Sequence, residues 1–208
     1  MRRVFLAFGF WLLAIGLYAA IVKSPNGNIE LTFTVDETGR PVYEMSYKGK
    51  DVVKPSYLGL ELAKDKHASA GLKERDLMNG FTIIDEQTRT FDETWKPVWG
   101  ETATIRNHYN ELAVTLEQRW REPVPSPRKG MQLQPRLHRR EMIIRFRVYD
   151  DGIGFRYEFP QQPDLNYFLI QEERSEFAMA GDHIAWRARP SLRRSATNCL
   201  PPQNMARF

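Results

Sequence analysis

Residues 142–160, MIIRFRVYDDGIGFRYEFP, constrain the fold more than any other stretch of the chain. Met142, Ile144, Phe146 and Val148 fall on one side of an extended backbone, and Arg145, Arg147 and Tyr149 on the other. After Asp150-Asp151-Gly152 the alternation resumes: Ile153, Phe155, Tyr157 and Phe159 against Gly154, Arg156 and Glu158. Successive side chains of a strand point to opposite faces, so this period of two predicts a β-hairpin. Its turn is expected to use local bonds from the Asp side chains and a positive φ at Gly152. Its apolar face needs a second sheet to cover it, which predicts a β-sandwich.

The same alternation recurs along the chain. Ile29, Leu31, Phe33 and Val35 mark one strand, Tyr43, Met45 and Tyr47 a second, and Val52-Val53 a short arm that Pro55 confines to an edge. Residues 58–62, 81–91, 105–116, 167–171 and 177–186 also read as strands, the fifth of these segments being the last. Residues 94–101 break the regularity with Pro97 and Gly100, and Asn107, His108, Tyr109 and Asn110 interrupt the strand after them. No helix of ordinary length is expected past the N-terminus. Many short strands at regular spacing give an all-β fold.

Two stretches depart from this pattern. Residues 119–140 carry seven Lys or Arg against Glu122 alone, with Pro123, Pro125, Pro127 and Pro135, and read as an exposed basic insertion. Residues 187–208 carry five Arg and no acid and read as an atypical disordered tail. The net charge of +4 therefore conceals an acidic body with basic appendages, a poor match for nucleic acid. Cys199 is the single cysteine, so neither an internal disulfide nor a cysteine-based metal site can form. His67 lies in a polar loop, residues 64–71, and reads as solvated.

At the N-terminus Arg2 and Arg3 precede a run from Val4 to Val22 without a charged side chain, closed by Lys23. This predicts a secretory signal helix over residues 1–20, cleaved near Ala20, with an uncleaved membrane anchor as the competing reading. Either one exports the protein, and the leader would be its only membrane contact.

Five segments in one order resemble the N-terminal domain of glycoside hydrolase family 97: SPNG at 24–27, TWKPVWG at 94–100, RNHYNEL at 106–112, DGIGFRYEFP at 151–160 and GDHIAW at 181–186. The resemblance covers residues 23–186 apart from the insertion. It implies a β-super-sandwich, galactose-mutarotase-like, that in the family precedes a catalytic (β/α)₈ barrel and a small C-terminal β-domain. It also implies a bacterial, periplasmic α-glucosidase or α-galactosidase with calcium at its active site. The family's catalytic carboxylates lie on the barrel, and its calcium-binding Glu of this domain lies just past the motif that ends here at Trp186. Arg187 onward offers no carboxylate, which suggests an out-of-frame or truncated end. No catalytic residue, metal ligand or cofactor is therefore assigned within this chain, and the barrel becomes its expected intramolecular partner.

Trp95 and Trp99 are the candidate sugar-stacking residues, since flat indole faces pack on pyranose C–H surfaces; the competing role is packing against protein. Asn107, His108 and Asn110 read as a polar cluster that contacts sugar hydroxyls or the barrel, with a structural hydrogen bond as the alternative for His108. Asp182 and His183, near the family's metal segment, would support it from behind. Arg145, Arg147 and Arg156 with Glu158 read as cross-strand ion pairs, with an anion site as the alternative. The expected function is a non-catalytic, substrate-proximal domain of an exported α-glycosidase. A free carbohydrate-binding module, a structural interaction domain without sugar affinity and a sugar epimerase are the alternatives.

Overall fold

The computed structural model describes residues 19–63, 76–121 and 135–182. The expected signal helix through Tyr18, the His67 loop, His183, Cys199 and the tail 187–208 lie outside the described residues. Within them the protein is all-β, with one short 3-10 turn at Pro163–Leu165.

The first sheet holds β1 (Ala20–Lys23), β2 (Ile29–Val35), β3 (Pro41–Tyr47) and β4 (Lys50–Tyr57) in sequential antiparallel order. The second holds β6 (Phe81–Trp95), β7 (Ile105–Arg121), β8 (Leu137–Val148) and β9 (Ile153–Glu158), again sequential. Between these runs β5 (Leu60–Leu62) pairs with β10 (Ile170–Glu173). Sequential antiparallel order follows from tight turns: at Asp36–Gly39 the Asp36 carboxylate accepts from Thr38 and Arg40 amides.

The sheets meet face to face through the alternating apolar residues. Ile29, Leu31 and Phe33 of β2 and Tyr43 of β3 face Leu112, Val114 and Leu116 of β7 and Met142, Ile144, Phe146 and Val148 of β8, in one buried cluster. Phe33 and Phe146 bridge the layers with ring centroids 5.7 Å apart, and Tyr43 lies 5.9 Å from Phe155. The hairpin register is Val148 opposite Ile153 and Phe146 opposite Phe155, as the alternation requires.

Its turn differs from expectation. Gly152 has no positive φ, and Tyr149 N donates to Gly152 O at 2.8 Å. Asp150 is not spent locally: its Oδ1 accepts from Asn26 N at 2.9 Å, fastening the hairpin to the turn between β1 and β2.

Three boundaries also move. Ala20 and Val22 are buried core residues of β1, so the end of the apolar run from Val4 belongs to the sandwich. Residues 119–121 and 137–140, expected within the insertion, extend β7 and β8, because Gln118, Trp120, His138 and Arg140 form a buried polar layer. There Trp120 stacks on His138 at 5.1 Å, Arg140 lies over the indole, and His138 Nδ1 meets Asp164 Oδ1 at 3.1 Å. Finally, residues 174–180 are not a regular strand but a strap along the outer edge of β4. Arg174, Glu176 and Ala180 amides donate to Gly59, Tyr57 and Val52 carbonyls, and Lys54 N donates to Ala178 O. Pro55 sits where β3 and β4 slip register, the position a strand proline tolerates.

Candidate functional site

One end of the sandwich gathers the turn at residues 24–28, the β3–β4 turn and the β8–β9 turn, linked by Lys48 N to Asn28 O and Asn26 N to Asp150. The β6–β7 hairpin runs past this end. Asn110, opposite Val148, is the last β7 residue paired with β8, and its side-chain amide donates to Lys23 O at 2.8 Å. Beyond it β6 and β7 pair only with each other, up to Trp95 opposite Ile105. The strap brings Ala180 beside Val52 near the same end, and Asp182 is exposed there.

The tip of that hairpin is apolar and open. Trp99 is 88 % exposed, Val98 fully so, Trp95 48 % and Ile105 36 %. Both candidate tryptophans lie at the surface, four residues apart on one projection.

The polar residues beside them do not form one cluster. Asn107 pairs with Glu93, on the face that carries Trp95, Phe91 and Tyr109. His108 pairs with Asp92, on the opposite face with Asn110. Adjacent strand residues must diverge in this way, so a sugar stacked on Trp95 has Asn107 on its side of the sheet and His108 on the other. Arg106 caps that second face with two bonds to Asp92, at 2.8 and 2.7 Å.

The tip's outer face continues into an ionic layer that includes the expected pairing of Arg145 and Arg156 with Glu158 and adds Glu111 and Arg89, which the sequence does not single out. Phe91 stacks on Tyr109 at 5.2 Å, and Arg147 covers Tyr109 at 4.5 Å. Arg147 also reaches Glu111, a carboxylate only 1 % exposed that Arg89 and Arg145 grip as well, both at 2.6 Å. Burial opposes ionisation of Glu111, but the three guanidiniums outweigh it and hold its pKa below the ordinary value. Glu158, bonded by Arg145 and Arg156, is held down to about 2.

Calcium takes about six to eight oxygen ligands. Among the described residues no three His, Cys, Asp or Glu side chains converge, so this part of the chain does not by itself fit the ion. Two recesses lie beside β9, one walled by Leu60, Phe155, Tyr157, Phe159 and Ile170 and the other over Gly154.

A family model described as "Glycosyl-hydrolase 97 N-terminal" matches residues 22–200. The chain belongs to this family. The glycosyl-hydrolase 97 match runs beyond Trp186, into residues that lie outside the described ones. A retaining alpha-galactosidase of Bacteroides thetaiotaomicron is 24 % identical over 164 residues, covering 79 % of this chain and 19 % of that protein. A glycoside hydrolase family 97 enzyme from Pseudoalteromonas sp. strain K8, solved with panose and with acarbose, is 33 % identical with a TM-score of 0.61. It covers 82 % of this chain and 22 % of its own length. A beta-arabinopyranosidase structure, 21 % identical with a TM-score of 0.57 over 77 % of this chain and 21 % of its own, shares the fold. The glycosyl-hydrolase 97 domain described here thus spans about a fifth of the length of these relatives.

Proposed function

We propose that this chain is the substrate-proximal N-terminal domain of an exported α-glycosidase, of super-sandwich form, and that it hydrolyses no glycoside by itself. The observation that carries the reading is the β6–β7 tip: two exposed indoles held on a long hairpin beyond the core. The related Pseudoalteromonas enzyme, solved with panose and acarbose, makes an α-glucoside the first sugar to try. In this reading Trp95 and Trp99 line one wall of the sugar pocket, Asn107 supplies a hydrogen bond from the same face, and His108 braces the hairpin from behind. Asp182 and His183 support a calcium whose ligands come from other parts of a longer enzyme.

Nitrophenyl α-glucoside and α-galactoside decide the catalytic half: clear turnover by the pure chain refutes it. Calorimetry with maltose decides the binding half, the proposal requiring heat that disappears in Trp95→Ala and Trp99→Ala. The exposure of Val98 and Ile105 beside the tryptophans favours a second reading, in which the tip packs on protein. That reading requires no sugar heat in either the parent or the variants.

A further inference from the structure

Gly154 is the second residue of β9 and has no backbone reason for being glycine. Its φ is not positive, and a Cβ built there meets nothing within 4 Å. Glycine weakens a strand interior, and where neither a bulge nor crowding explains it, the remaining use is room for a group that approaches the backbone. The room is visible: a recess of about 190 Å³ opens over Gly154, walled by Arg145, Arg147, Tyr149, Phe155 and Arg156. Arg147 stands directly across the ladder from Gly154, and Arg156 follows it by two residues on the same face.

The charge around this recess does not balance. Arg89, Arg145, Arg147 and Arg156 touch two carboxylates, Glu111 and Glu158. Arg145 is shared between both, bonding Glu158 at 2.7 and 2.9 Å and Glu111 at 2.6 Å. Arg147 bonds Glu111 and Arg156 bonds Glu158, but four guanidiniums share two carboxylates, so the layer keeps two excess positive charges with Arg147 and Arg156 on either side of the glycine. Arg156 is 61 % exposed and Arg147 34 %, so both remain open to solvent. Guanidinium forks match planar or tetrahedral oxyanions, and neighbouring ion pairs fix the rotamers in advance.

We propose that the recess over Gly154 binds one oxyanion group, a carboxylate or sulfate, between Arg147 and Arg156. The recess is larger than the group alone and accepts part of a small molecule that carries it. This site lies on the outer face of the second sheet and stands independently of the tryptophan tip.

The test uses the full chain and three probes at matched ionic strength: sulfate, glucuronate and neutral glucose, with chloride as background. Binding is followed by the Arg Nε–Hε resonances and by thermal stabilisation. The expected result is a saturable shift at Arg147 and Arg156 with sulfate or glucuronate and none with glucose. Sulfate alone identifies a free-ion site; glucuronate binding more tightly identifies a sugar acid. Gly154→Leu fills the space while keeping every charge, and should abolish the shift. Arg156→Gln should weaken binding roughly tenfold, the loss of one charge-assisted bond. No shift in the parent, or equal shifts in parent and Arg156→Gln, overturns the proposal. The parent titration stands even if Gly154→Leu fails to fold.

Discussion

The Tyr43 hydroxyl donates to the Glu176 carbonyl at 2.8 Å, tying the core of the first sheet to the strap along its edge. The ring is fully buried between the layers, and burial raises its pKa far beyond neutrality, so the hydroxyl stays a donor. Tyr43→Phe keeps the packing and removes the bond. It should cost about 1–2 kcal/mol in urea unfolding and speed hydrogen exchange at the Lys54 and Ala180 amides, which bond across the same seam. Unchanged exchange there would show the strap held without the tyrosine.

The ionic layer makes the domain acid-sensitive with a defined sign. Glu158 titrates at about 2 in the folded protein against an ordinary 4.5, mainly through Arg145 and then Arg156. A depressed carboxylate stabilises the fold fully above its unfolded value and loses that contribution as pH falls through the folded one. Urea midpoints should therefore decline between pH 4.5 and 2. Glu158→Gln should be less stable than the parent at neutral pH and should close that gap at the acid end. A constant difference at all pH values contradicts the assignment.

Much of this architecture was legible in the sequence, and the reasons for the rest are physical. The 142–160 hairpin was readable because one face is wholly apolar, so its period of two is unambiguous. Whether Trp95 and Trp99 are open was not legible, because Pro97 and Gly100 mark a break after β6 but do not say what packs on it. The flanks of residues 119–140 were misread because Gln118, His138 and Arg140 are interior residues with polar side chains, and alternation of polarity cannot report them. The strap escaped notice for another reason: it follows the edge of β4 through backbone amides, which leave no side-chain pattern. The ionic layer needed register, since Glu111 meets Arg89 and Arg147 only once three strands are aligned.

Gly39 is a position where glycine is obligatory. Its φ is +78°, and a Cβ there would lie 2.5 Å from Phe81 N and 2.6 Å from Gly80 N, which bond back to the same turn. Gly39→Ala combines left-handed backbone with a clash against backbone that cannot rotate away. A loss of about 2–3 kcal/mol is expected. Gly27 is the control: its φ is +71° but nothing lies within 4 Å, so Gly27→Ala should cost only about 1 kcal/mol. Equal losses at both sites would remove the packing argument.

The tip separates binding from stability. Because Trp99 is 88 % exposed, Trp99→Ala should change the unfolding free energy by no more than about 0.5 kcal/mol. Any maltose affinity should nonetheless vanish. Trp95→Ala, at the last paired position of β6, should show the same loss of sugar heat with a slightly larger stability cost. A tryptophan variant that unfolds early would instead mark the tip as part of the core.

β6 is the outermost strand of its sheet, with only β7 beside it among the described residues. Its other flank offers amides and carbonyls to any extended chain, the usual route to side-by-side association. Two copies meeting there antiparallel, centred on Arg89, would set Asp85 of each against Glu93 of the other and the two Arg89 side chains against one another. Like charges set directly opposite one another destabilise such a pair. Like charge along this flank therefore works against one ribbon pairing with another.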